Sequence, residues 1–311
     1  MNPRDLPRWR TQVVRHLGDS TMPIRAQTGD AMQPGLDALA DHLRHAALYY
    51  ASADMTALAV HAGGALDAAS WTTADQPSAS GLIVFEGGVG HVDSQGVRVP
   101  VDGLTWGPHD GHLLIWGLVA RRRLADEMAR RGGSPSRAGG DRPDHLTVSE
   151  ALESGPSVSL EEERIPPLIP LRAESLPIEA EPTPLPAGGA LATPLRALAA
   201  AWLLMEQPQL VDRAVDRGRG PARKAAARAG LSAPDVTLVD LRRQYTPQDA
   251  EPGGEPTGRL YRHRWVVSGH WRNQAHGPGR ELRRRQWIPA HMKGPDGAPL
   301  LATERVNVWR R

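Results

Sequence analysis

Cysteine is absent from all 311 residues. That excludes disulfides, cysteine-ligated zinc, iron–sulfur clusters and thiol nucleophiles. Lysine is nearly absent: Lys224 and Lys293 are the only two, so positive charge rests on arginine. Phenylalanine occurs once, at Phe85, beside nine tryptophans and four tyrosines. No stretch approaches the ~20 apolar residues that a membrane-spanning helix needs. The opening MNPRDLPRWRTQVVRHLGDS is polar and lacks the apolar core of a secretion signal. A cytoplasmic protein with no membrane partner is therefore expected. Diagnostic motifs are missing as well. There is no G-x-x-x-x-G-K-[ST], no G-x-G-x-x-G behind a strand, no H-E-x-x-H and no G-x-S-x-G. No cofactor is expected.

Against these absences stand an ordinary hydrophobic fraction of 40%, enough for a real core, and a length that suits two domains. The net charge of +2 is unevenly spread. Residues 259–311 carry eleven arginines and one lysine against three acids, a net of +9. Residues 144–182 carry nine acids against Arg164 and Arg172, a net of −7. Such asymmetry points to a polyanionic partner for the tail, to attraction between the two regions, or to a protein partner that folds the acidic 144–182 region onto itself.

Periodicity sets the expected elements. PGLDALADHLRHAALYY places Leu36, Leu39, Ala40, Leu43 and Ala47 on one helical face. LYYAS follows as a short strand, and Asp54 is a candidate N-cap for a helix over MTALAVHA that Gly63 and Gly64 stop. SGLIVFEGG and GHLLIWGLVARRR are apolar runs of the kind found in buried strands, while GVRVPVDGLTWG alternates. RIPPLIPLR suits an edge strand, because its prolines bar a central one. Thr193 and Pro194 read as N-cap and first residue of a helix whose Leu195, Leu198, Trp202 and Met205 form a core-facing stripe. GPARKAAARAG is a short basic helix closed by Gly230, and PDVTLVDLRR is a strand. The expected fold class is α+β. Residues 1–131 form an N-terminal domain with a mainly antiparallel sheet, 132–190 a linker or long irregular loop, and 191–311 a smaller C-terminal unit of a helix followed by an antiparallel sheet.

Functional signals concentrate in YRHRWVVSGHWRNQAHGPGRELRRRQWIPAHMKG, residues 261–294, with seven arginines, four histidines and three tryptophans. Alternation gives Tyr261, His263, Trp265 and Val267 one face and Arg262, Arg264 and Val266 the other. Ser268 and Gly269 supply a bend or bulge. Beyond them His270, Arg272 and Gln274 share a face opposite Trp271 and Asn273, and Pro289 marks a strand end. Single-stranded nucleic acid is the first reading. Arg262, Arg264, Arg272, Arg283, Arg284 and Arg285 would contact phosphates, and an indole such as Trp271 would stack a base for about 1–3 kcal/mol. Against it stands a plainer account, in which Trp265, Trp271 and Trp287 are the core of a small sheet and the arginines its solvated coat. The alternative functions are a metal-independent ribonuclease-like toxin and a protein-binding regulator that acts through the acidic region; the first of these needs proton carriers. His263, His270 and His291 would move protons, and Arg272 would stabilise the transition state. A zinc site is disfavoured, since the histidine spacings match no familiar pattern. Whether the protein is an enzyme stays open on these residues.

His263-x-Trp265-x-Val267-x-Gly269-His270-Trp271-Arg272, then Trp287-Ile288, His291 and Lys293-Gly294-Pro295, resembles the tails of a group of uncharacterised actinobacterial proteins associated with prophages and other mobile elements. YYASADMTALAVHAG and SGLIVFEGGV are similar to the front of that group, so the resemblance spans most of the chain outside 132–190. The resemblance implies one shared architecture and a mobile-element setting. It carries over no catalytic residue.

Overall fold

A computed structural model of the chain describes residues 1–26, 30–66, 70–71, 75–94, 97–131, 165–177, 183–184, 188–242 and 265–293. The chain opens with helices α1 (Leu6–Gly18), α2 (Pro23–Ala26) and α3 (Gln33–His45), then strand β1 (Ala47–Ala51) and helix α4 (Ala53–Gly64). Strands β2 (Ser70–Trp71), β3 (Gly81–Phe85), β4 (His91–Ser94), β5 (Val97–Pro100), β6 (Gly103–His109) and β7 (His112–Ala120) lead into α5 (Arg121–Arg131). Then come β8 (Leu168–Pro177), β9 (Thr183–Pro184), α6 (Ala192–Met205), β10 (Val211–Asp216), α7 (Gly220–Arg228) and β11 (Val236–Leu241). These belong to one unit, Met1–Arg242; Arg243–Arg311 is the second. The second contains β12 (Trp265–Val267), β13 (His270–His276), β14 (Leu282–Ile288) and β15 (His291–Lys293).

The fold is α+β. The main sheet has seven strands in the order β10-β11-β1-β3-β6-β7-β8. Four of its pairings are antiparallel, but β11-β1 and β1-β3 are parallel, so it is mixed. The parallel centre follows from α4, which carries the chain from the end of β1 back to the start of β3. Continuous apolar runs in β3 (GLIVF) and β7 (HLLIWGLVA) reflect burial on both faces. β8 lies at the edge, where Pro170 costs no central ladder bond, and a register shift opposite Gly117–Leu118 absorbs its irregularity.

Alternation along β1 separates two cores. Tyr50 joins Leu36, Leu39 and Leu43 of α3, Val13 and Leu17 of α1, and Trp116 of β7. Tyr49 points the other way and stacks on Trp106 at 5.9 Å, which meets Trp202 of α6 edge-on at 4.9 Å. Gly81 permits this second core, since any side chain there would strike the Trp106 ring. α6 is buried from Pro194 to Met205 apart from Arg196, so the expected stripe is part of a helix buried nearly all round. It lies so close to α4 that a Cβ on Gly63 would stand 2.8 Å from the Arg196 carbonyl.

Four expectations change. α3 ends at His45, so Ala47 opens β1 and is not on the helical face. α4 is capped by Ser52, whose side chain accepts from the Met55 N–H, and Asp54 sits in the first turn. α6 begins at Ala192 behind Leu191, without a side-chain cap from Thr193. The helix α6 and the strands β10 and β11, assigned above to the C-terminal unit, belong to the first unit: β11 pairs directly with β1, supplying a strand that 1–131 lacks. Among the described residues no helix is long and apolar enough to cross a membrane.

Candidate nucleic-acid interface

β12 pairs with β15 from Trp265↔Lys293 to Val267↔His291, and β13 with β14 from His270↔Ile288 to His276↔Leu282. Every pair in both ladders has residue numbers totalling 558, so the two ladders are one hairpin in one register. The interruption is Ser268–Gly269 facing Pro289–Ala290. Proline has no N–H to donate, which breaks the ladder there. Neither strand gains a residue, so Ser268–Gly269 is a break in the ladder and not a bulge. The tip turns through Pro278–Arg280, with Gly277, Gly279 and Arg280 all at positive φ.

Register sorts the side chains. His270, Arg272, Gln274 and His276 share a face with Leu282, Arg284, Gln286 and Ile288. Trp271, Asn273 and Ala275 share the other with Arg283, Arg285 and Trp287. Trp271 and Trp287 are directly opposed and meet edge-to-face at 5.3 Å and 68°. Trp287 is 2% exposed and Trp271 half-buried. The slot for Trp287 is cut by Gly269, whose Cβ would stand 2.5 Å from the ring. The core role weighed above for the tail indoles describes Trp287, while Trp271 keeps part of its surface in solvent; the burial of the Trp265 side chain lies outside what is described.

The arginines fall into two groups. Arg272 and Arg284 are exposed on the face with His270, diagonal to one another across the hairpin, about 7–8 Å apart between Cα atoms. Arg283 and Arg285 lie on the tryptophan face; Arg283 is exposed and Arg285 half-buried. Arg283 is partly engaged, with Nη1 donating to the Arg280 carbonyl at 2.7 Å. Among the described residues none of Arg272, Arg283, Arg284 and Arg285 pairs with a carboxylate. Arg262, His263 and Arg264 lie outside the described residues, as does most of the acidic 144–182 region; within it Arg172 and Glu174 approach to 3.8 Å.

The described histidines are kept apart. His270 and His276 are six residues apart on one strand, roughly 20 Å. His291 lies three pairs further along the hairpin than His270, roughly 10 Å. The Nδ1 atoms of His270 and His291 lie 3.1 Å from the carbonyls of Ser268 and Pro289. These residues do not set an acid and a base on either side of one phosphate, the arrangement that ribonuclease chemistry needs. No group of three or more metal-ligating side chains is found among the described residues.

No protein-family model matches the sequence, and no curated protein matches it. One residue with an unusual setting escapes every motif named above. Arg10 lies on the inner stripe of α1 with Leu6, Val13 and Leu17, fully buried. The only sequence signal was an arginine at an apolar position of a helical repeat, in a segment whose polarity hid the helix.

Proposed function

We propose that the protein binds single-stranded nucleic acid through the tail hairpin, as a non-enzymatic component of a mobile element. The observation that carries this reading is the exposed pair Arg272 and Arg284, set diagonally on one face with no carboxylate partner among the described residues. Two guanidinium forks at that spacing suit successive phosphates of one strand. Gln274, Gln286 and His270 on the same face add donors for sugar and base edges. The Trp271–Trp287 contact stiffens the ribbon from the opposite face, so the arginines are offered from a preorganised surface. The exposed part of Trp271 is available to stack one unpaired base.

Binding of a fluorescent single-stranded RNA or DNA to the full chain at several salt concentrations tests this. Each phosphate contact on a single strand contributes about 0.7 to the slope of log affinity against log salt. Arg272→Ala with Arg284→Ala should lower that slope by about 1.4 and weaken all sequences alike. An unchanged slope in the double variant would remove the proposal.

A further inference from the structure

A second gathering of cations lies within the first unit. α1, the loop after β10 and the first turns of α7 enclose a cleft of about 570 Å³, within the range of small-ligand sites. Arg10 lines it. Its Nη1 donates to the Ala46 carbonyl at 3.0 Å and Ser232 Oγ at 2.6 Å, and its Nη2 to the Ser232 carbonyl at 2.6 Å. Its Nε has no partner. All three acceptors are neutral, and the side chain is fully buried. Burial draws its pKa down to about 10, so it stays charged at neutral pH. A buried guanidinium served only by neutral oxygens is a charge whose counter-ion the described protein does not provide.

The rim repeats the sign. Arg4, Arg8, Arg217 and Arg219 surround the opening, all exposed. Asp216 is the one acid in the lining, and Arg4 takes it at 3.3 Å. Arg8, Arg217 and Arg219 have no carboxylate partner among the described residues. The nine-residue α7 starts at the same rim, with Arg219 as its N-cap and no side-chain capping bond. Its free N–H groups and dipole favour an anion there. Asp235 fixes the geometry: it accepts from the Gly218 N–H at 3.0 Å and from Arg223 Nη2 at 2.7 and 2.6 Å. One side of the wall is apolar, built by Ala222, Ala225, Ala226, Pro234 and Val236, while α1 adds the neutral Thr11 and Gln12.

We infer that this cleft binds a phosphorylated small molecule of nucleotide size, its phosphates held by Arg8, Arg217, Arg219 and the first turn of α7, its planar apolar part lying on the alanine wall. Arg10 sets the sign of the field beneath the ligand and positions the wall without touching solvent. The site is independent of the tail hairpin.

Calorimetric titration of the full chain carrying Arg272→Ala and Arg284→Ala tests the inference with tail binding removed. ADP, inorganic pyrophosphate and a single-stranded oligonucleotide are the probes. ADP should bind, and pyrophosphate at least tenfold more weakly. Arg217→Ala with Arg219→Ala should weaken ADP at least tenfold. Ala225→Leu, which fills the floor from an exposed helical position, should do the same while the melting temperature holds. Absence of ADP binding, or ADP affinity unmoved by either variant, overturns the inference. So does pyrophosphate binding as tightly as ADP, since the wall would then contribute nothing, or an oligonucleotide outcompeting ADP through Arg217 and Arg219.

Discussion

At Gly269 the lack of a side chain is itself a structural element. The Trp287 ring occupies the space a methyl group would take, with the ideal Cβ 2.5 Å away, and Trp271 then closes on its edge. Gly269→Ala should cost the hairpin about 1–3 kcal/mol through overpacking. Trp287 should move toward solvent, read as a red shift of tryptophan emission with the first unit's melting unchanged. His42 shows the opposite kind of constraint, a polar group sealed in. It is 2% exposed, with Nε2 3.0 Å from the Pro108 carbonyl and Nδ1 without a partner. Burial holds its pKa below the ordinary 6.5, opposed by the Pro108 contact and the Asp41 charge and assisted by His109. The neutral ring is thus the form the fold accepts. Its contribution is complete above about pH 6.5 and is lost as pH falls through the lowered folded value. Urea midpoints measured from pH 7.5 down to pH 5 should fall, and His42→Gln, which cannot take up the proton, should flatten that dependence.

Elements were legible where one physical demand governed the whole segment. β3 and β7 are buried on both faces, so only apolar residues survive there, and the run is visible in the sequence. The tail alternation from His270 to Gln274 was visible because a two-stranded ribbon has two distinct faces. β10 was not visible: four of its six residues are exposed, and its place is set by pairing with β11, which no local pattern encodes. α1 was obscured because Arg10 and His16 sit on its buried stripe. Among the described side chains of α5 only Leu124 is buried, and its charged neighbours leave the period little apolar signal. The parallel β11-β1-β3 centre was out of reach for a related reason, since β11 comes from a stretch 185 residues beyond β1 (Ala51 to Val236). The cleft shared this obstacle, assembled as it is from α1 and a loop far along the chain. Helix packing offers a paired test at this scale. Gly63 and Gly64 are neighbours in α4, but only Gly63 faces α6. Gly63→Ala should destabilise the first unit by about 1–3 kcal/mol, because its Cβ meets backbone that cannot swing aside. Gly64→Ala, with nothing within 4 Å, should be neutral or stabilising by up to about 1 kcal/mol. Thermal melts of the two variants that coincide would refute the close approach of α4 and α6.

Across the whole molecule the near-neutral total conceals two opposed charges. Residues 243–311 hold thirteen basic and six acidic groups, a net of +7, which leaves residues 1–242 with twenty-four and twenty-nine, a net of −5. Long-range attraction of a polyanion therefore belongs to the second unit, while the first repels it except at the local arginine rim of its cleft. Residues 1–242 also contain all seven described strands of the main sheet and the cores packed on them. A fragment ending at Arg242 should thus melt in one cooperative transition and fail to bind single-stranded nucleic acid at any salt concentration where the full chain still binds. Its failure should be sharper than that of the Arg272, Arg284 double variant, because it removes the whole +7 field and not just two contacts. Binding by the fragment with the full chain's salt slope would move the polyanion site into the first unit and overturn the division of labour between the two.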